Sequence, residues 1–128
     1  MSENQSQNKA EFKIDLTYLR DVSSGSNEFM IEMIELFLDQ TPAYFEQLKQ
    51  YIAEENWSKV AEIAHKIKPT LAFMGADSAK ESMAEIENNA RSLTNTISIS
   101  PAFEMLYEFS GDLFNKLTQV KQELEQAG

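Results

Sequence analysis

The chain has 128 residues, 42% of them hydrophobic, with 3 Pro and 4 Gly, which indicates one folded domain and disfavours a disordered chain or a turn-rich β protein. Acidic residues outnumber basic ones by 21 to 11, and the resulting net charge of −10 argues against nucleic acid or an anionic membrane as partner. The absence of cysteine excludes disulfides, thiolate metal sites and cysteine nucleophiles, and no apolar run reaches the roughly 18 residues of a membrane span.

The N-terminal residues 1–11 are polar and lack the apolar core of a signal peptide, so we predict a flexible lead-in followed by one helical domain over 12–128. Together with Met1, this lead-in favours a free-standing cytoplasmic protein. Asp15 is predicted to cap a short helix that ends near Asp21, before a Ser/Gly loop.

A long stretch with helical periodicity comes next, and its apolar residues run from Met30 to Ile52. Pro42 falls inside this stretch, where a proline either separates two helices or kinks one. Because the apolar face continues in phase across Pro42, we predict a single kinked helix.

Three further helices are predicted from local signals. Asn56 is placed to cap a helix over 57–74 that Gly75 ends. The next helix is predicted to start at an Asp77 or Ser78 cap and to end near residue 93, and the last to start at Ser100-Pro101. The predicted fold class is therefore all-α, an antiparallel four-helix bundle with a short additional N-terminal helix.

The helix over 57–74 carries the only histidine of the chain, His65. Its apolar residues share one face, and His65 lies about 150° from the centre of that face, so it is predicted to point to solvent. The same-face neighbours Ala61, Pro69 and Ala72 are small and leave the imidazole clear, with Lys68 one turn away. The predicted core stripe of this helix consists of Val60, Ile63, Ala64, Ile67, Leu71 and Met74.

An exposed imidazole suits phosphoryl transfer, because neutral imidazole is a good nitrogen nucleophile near neutral pH. Lys68 is placed to neutralise charge on phosphoryl oxygens. A lone histidine is nevertheless often incidental, and geometry by itself leaves both interpretations open. Other chemistries find less support, since the sequence has no nucleophile-elbow motif, no glycine-rich phosphate loop and no metal-ligand cluster around the single histidine.

The segment 64–68 (Ala-His-Lys-Ile-Lys), the pair Gly75-Ala76 and the pair Ile86-Glu87 together resemble the histidine-containing phosphotransfer (HPt) domain family. The similarity spans about residues 27–91. The resemblance implies a helical bundle in which His65 is the phosphoacceptor, Lys68 assists it and Gly75 ends the helix beyond the site.

The resemblance also implies a phosphocarrier without kinase or hydrolase activity of its own. Such a protein relays phosphoryl groups between aspartates of receiver domains, often from a hybrid histidine kinase to a response regulator. The magnesium ion of the reaction is then bound by the receiver, and this chain binds no cofactor or metal. The family usually has glycine directly after the lysine; this chain has Pro69, which is expected to kink or loosen the helix beside His65.

A receiver is expected to dock over the face around His65, and we expect the protein to be a monomer. The role of Phe73 is open, since it is placed either to pack against another helix or the N-terminal segment, or to contact the partner. A second hypothesis is a helical adaptor that binds a receiver or kinase without accepting phosphate. An enzyme with a site in the bundle core is a third, which the shortage of inward polar residues disfavours. The docking candidates are Lys59, Ala61, Glu62, Lys66, Pro69, Ala72 and Phe73.

Overall fold

A computed structural model describes residues 12–127, which form five α-helices and no strand, so the predicted all-α bundle is confirmed. The lead-in over 1–11 and Gly128 lie outside the described residues. Within the described range no helix combines the length and apolar character needed to cross a membrane. The helices are α1 (Thr17–Val22), α2 (Asn27–Ala53), α3 (Trp57–Phe73), α4 (Asp77–Ser92) and α5 (Ile99–Ala127), with a short 3-10 turn at Thr96–Ser98 before α5.

Helix α2 is one continuous helix with Pro42 inside it, as the unbroken apolar phase predicted. It begins at a serine cap, where Ser26 Oγ accepts a hydrogen bond from the backbone N–H of Phe29 at 3.2 Å. Its inward face packs against α3 and α5. The buried residues of α2 are Met30, Ile34, Phe37, Thr41, Phe45, Leu48 and Ile52.

The ends of α3 follow the predicted signals. Asn56 Oδ1 accepts from the backbone N–H of Lys59 at 3.3 Å, and Gly75 follows the helix with a φ of +73°, in the left-handed region. The predicted cap of α4 is wrong, because Ala76 occupies that position and no side chain caps the helix. Asp77 lies instead in the first turn, where its negative charge interacts favourably with the helix dipole.

Residues 12–16, which precede α1, pack against the bundle. Phe12 packs on Phe109 of α5 with ring centroids 5.2 Å apart, and Phe109 is buried. The predicted cap of α1 is wrong, because Leu16 and not Asp15 occupies the N-cap position. Asp15 Oδ1 accepts instead from both the backbone N–H and the hydroxyl of Thr17, the first residue of the helix. The segment therefore adds a second layer of contacts beside the turn that joins α3 to α4.

Candidate functional site

His65 lies in the middle of α3 and its side chain is 66% exposed. The predicted orientation is confirmed, because the six residues of the core stripe are all buried while the imidazole is on the outer side. The core stripe packs against α2 and α4, and this packing fixes the helix on which His65 stands. The ring is thus held by a rigid element and remains open to an incoming partner.

The side chain of Glu87 on α4 is the direct partner of His65. The Nδ1 atom of His65 lies 3.0 Å from Oε2 of Glu87, whose side chain is only 7% exposed. The extensive packing of α3 against α4 brings these residues together. Glu87 is not among the site residues predicted from the sequence, although the Ile86-Glu87 pair carries a signal that points to it.

Two cations share the same carboxylate. Lys68 Nζ lies 2.7 Å from Glu87 Oε1, and Arg91 Nη2 lies 2.6 Å from Oε2, the oxygen that also contacts His65. Burial by itself raises the pKa of Glu87, but hydrogen bonds from Lys68 and Arg91, the charge of Lys68 and the contact with His65 outweigh it, so the pKa is lowered overall. Glu87 is therefore an anion in the folded protein at neutral pH.

The prediction that small, exposed residues surround His65 is correct in part. Pro69 and Lys66 are exposed and Ala72 is half-buried, whereas Ala61 is only 2% exposed, so its prediction as a surface neighbour and docking residue is wrong. The helical wheel of α3 places Ala61 on the outer side, but a wheel does not include the close approach of α4 along that side.

The other docking candidates lie on the same helix. Lys59 and Glu62 are exposed and form an ion pair with a 3.4 Å Nζ–Oε1 distance. Phe73 is half-buried and makes an edge-to-face contact with Tyr18 of α1 at 5.7 Å between ring centroids. Phe73 therefore packs against another helix, as one of its two predicted roles requires, while a contact with a partner stays a prediction.

Helix α3 runs through Pro69 without interruption. Proline has no N–H, so the carbonyl group of His65 lacks the donor that it would normally receive from residue i+4. Pro69 also lines two shallow surface grooves, one toward α1 and one toward α2. The unusual residue therefore affects both the backbone under His65 and the shape of the surface next to it.

In the range 12–127, no group of three or more histidine or acidic side chains is arranged to hold a metal ion. The model for the Hpt domain family matches residues 32–127 of the chain, a range that includes all of α3, α4 and α5 and most of α2. No curated protein and no solved structure matches the chain.

Proposed function

The chain belongs to the Hpt domain family, which serves phosphotransfer in two-component signalling, and from this premise we propose that it is a phosphorelay intermediate with His65 as the phosphoacceptor. In this proposal an aspartyl phosphate on one receiver domain is the donor and an aspartate on another is the acceptor. A histidine kinase, often one that carries its own receiver, supplies the phosphoryl group, and the relay takes place in the cytoplasm.

The observation that supports this role best is the contact between His65 and Glu87. An ionised carboxylate only accepts hydrogen bonds, so the ring proton resides on Nδ1 and Nε2 keeps its lone pair. The side chain is 66% exposed, and Nε2 is the ring nitrogen that does not contact Glu87. The arrangement therefore presents an oriented nucleophile to a partner that approaches the outer face of α3.

The transfer step needs no proton acceptor. The Nε2 lone pair attacks phosphorus, the N–P bond forms, and the bond from phosphorus to the aspartate oxygen breaks, its electron pair leaving with the carboxylate. The ring, which keeps its Nδ1 proton, becomes positively charged and is stabilised by the anionic Glu87. Onward transfer is the reverse of these steps with a second receiver. Lys68 is proposed to interact with the phosphoryl oxygens while its ammonium group remains close to Glu87.

Charge distribution supports docking at this face. Helices α3 and α4 together carry five basic and five acidic residues, although the chain as a whole has a net charge of −10. The negative charge thus lies on the other parts of the molecule, and the face around His65 does not repel a phosphorylated, carboxylate-rich receiver site. Magnesium is expected on that receiver, and this chain is expected to act as a monomer. The proposed contact residues are Lys59, Glu62, Lys66, Pro69, Ala72 and Phe73.

The test uses a receiver domain that is phosphorylated by a small-molecule donor in the presence of magnesium and then mixed with the purified chain. We expect label on this protein that is stable to alkali and labile to acid, and that maps to His65. His65→Ala is expected to remain unlabelled, whereas Lys116→Ala, which removes an exposed cation on α5 outside the proposed docking face, should retain labelling. Equal labelling of His65→Ala would contradict the proposal. Binding of the receiver without any labelling would support the adaptor hypothesis instead.

A further inference from the structure

The carboxylate of Glu87 has more cationic partners than its charge requires. Lys68 and Arg91 each contribute one positive charge within 2.7 Å of its oxygens, and Glu87 contributes one negative charge. The group of three therefore carries a surplus positive charge next to His65. A surplus cation beside a nucleophile is suited to an anion that arrives during the reaction.

Arg91 is the more available of the two cations. Its side chain is 60% exposed, compared with 27% for Lys68, although both contact the same buried carboxylate. A guanidinium group has five N–H donors in a planar fork, and the Glu87 contact uses a single terminal nitrogen, Nη2. Among residues 12–127 no other acceptor is seen on this guanidinium, so its remaining donors are able to meet an anion in the paired geometry that phosphate groups favour.

The backbone holds Arg91 at the correct place for this role. Arg91 is one turn after Glu87 in α4, and its Nη2 and the ring of His65 share a single oxygen, Glu87 Oε2. The guanidinium group and the imidazole ring are consequently neighbours across this one oxygen. A phosphoryl group on Nε2 would be a new anion on the exposed side of this ring, and the exposed side chain of Arg91 would have to turn from Glu87 toward it.

We propose that Arg91 is a second phosphoryl-binding residue, contributed by α4, that complements Lys68 from α3. In the resting protein it is paired with Glu87; once the phosphoryl group is on His65, it donates to the phosphoryl oxygens and leaves Glu87 Oε2 to the Nδ1–H group. This inference rests on the proposed function of His65 and adds to it the group that binds the transferred anion.

The first measurement uses protein loaded chemically with phosphoramidate, so that no receiver is required. The pKa of the phosphoryl group on His65 is read from its ³¹P chemical shift in a pH titration. Removing a neighbouring cation raises such a pKa, and we expect Arg91→Ala to raise it by about 0.5–1. Arg91→Lys keeps the charge and is expected to have a smaller effect. The matched control is Lys80→Ala, which removes a cation that lies about 16 Å from Arg91 along the axis of the same helix.

The second measurement is the transfer equilibrium with a phosphorylated receiver. Arg91→Ala is expected to reduce the ratio of phosphorylated protein to phosphorylated receiver about tenfold, the size expected for the loss of one charge-assisted hydrogen bond. Binding of the unphosphorylated receiver should change much less. If wild-type protein loads chemically but takes no phosphoryl group from any receiver, the proposed function fails, while the ³¹P titration still decides the role of Arg91.

A purely structural role of Arg91 gives a different pattern. In that case Arg91→Ala alters the ¹⁵N and ¹H resonances of the His65 ring in the unphosphorylated protein but leaves the pKa of the phosphoryl group equal to that of Lys80→Ala. That result overturns the proposal. We expect the opposite pattern in Arg91→Ala. The contact with Glu87 keeps the ring resonances of His65 unchanged, and the pKa of the phosphoryl group rises.

Discussion

Gly75 lies directly against the backbone of Asp15, and the two residues join the N-terminal segment to the turn between α3 and α4. The N–H of Asp15 donates to the carbonyl oxygen of Gly75 at 3.2 Å, and a β-carbon at position 75 would overlap the carbonyl group of Asp15. The glycine that ends α3 is therefore also the contact point for residues more than fifty positions earlier in the chain.

Gly75→Ala is expected to destabilise the protein by about 2–4 kcal/mol, because it combines a strained left-handed residue with a steric overlap. Chemical denaturation measures the loss, and hydrogen exchange should show faster exchange in α1 and at Asp15. Gly25→Ala is the control, since Gly25 has a φ of +77° but open space around it. Gly25→Ala should lower the free energy of unfolding by only about 1–2 kcal/mol. Equal losses for the two variants would show that the contact with Asp15 contributes nothing.

Glu87 is expected to make stability depend on pH in the acidic range. Its pKa in the folded protein lies below the ordinary value of 4.5, so the unfolded chain takes up this proton first as the pH falls. The contribution is fully present above about pH 5 and is lost as the pH falls through the folded pKa. Glu87→Gln should therefore lower the free energy of unfolding by about 1–2 kcal/mol at pH 7, and by progressively less below pH 4.5.

Urea denaturation of both proteins between pH 3 and pH 7 tests this expectation. Glu85→Gln changes an exposed carboxylate two residues away on α4 and serves as the control, with little expected effect at any of these pH values. A difference between wild type and Glu87→Gln that stays constant across the range would contradict the assigned direction of the pKa shift.

The helices of this protein were predictable because their signals are local. Asn56 and Gly75 mark the ends of α3 within a few residues, and the periodicity of the apolar residues fixes which face is buried, including the outward direction of His65. Even the continuation of α2 through Pro42 followed from the phase of its apolar face.

The interior of the site was less predictable, because it depends on how two helices are placed against each other. The burial of Ala61 and the contact between His65 and Glu87 both follow from the close packing of α3 and α4. The periodicity of one helix contains no information on the axial shift or rotation of the next. The spacing of Glu87 and Arg91 at i and i+4 was a visible signal, but an isolated pair of this kind usually has only a structural meaning.

Gly111 offers a substitution that should stabilise the protein. It lies inside α5, is exposed, and a β-carbon there would have no neighbour within 4 Å. Alanine restricts the unfolded chain and favours the helix, so Gly111→Ala is expected to add about 0.5–1 kcal/mol to the free energy of unfolding. Thermal unfolding measures the effect as an increase in Tm of a few degrees. A lower Tm would indicate that the helix is distorted at this position.

Pro69 tests how much the backbone under His65 matters to the acceptor. Pro69→Gly restores an N–H that donates to the carbonyl group of His65, keeps the position small, and is expected to preserve phosphorylation of His65. Pro69→Ala restores the same donor with a better helix former, and should increase stability by about 1–3 kcal/mol, because proline inside a helix is so costly. Labelling by a phosphorylated receiver and urea denaturation measure the two effects separately. Complete loss of labelling in Pro69→Gly would mean that Pro69 is required for the conformation or surface that the receiver recognises, and that it does more than occupy the place of a small residue.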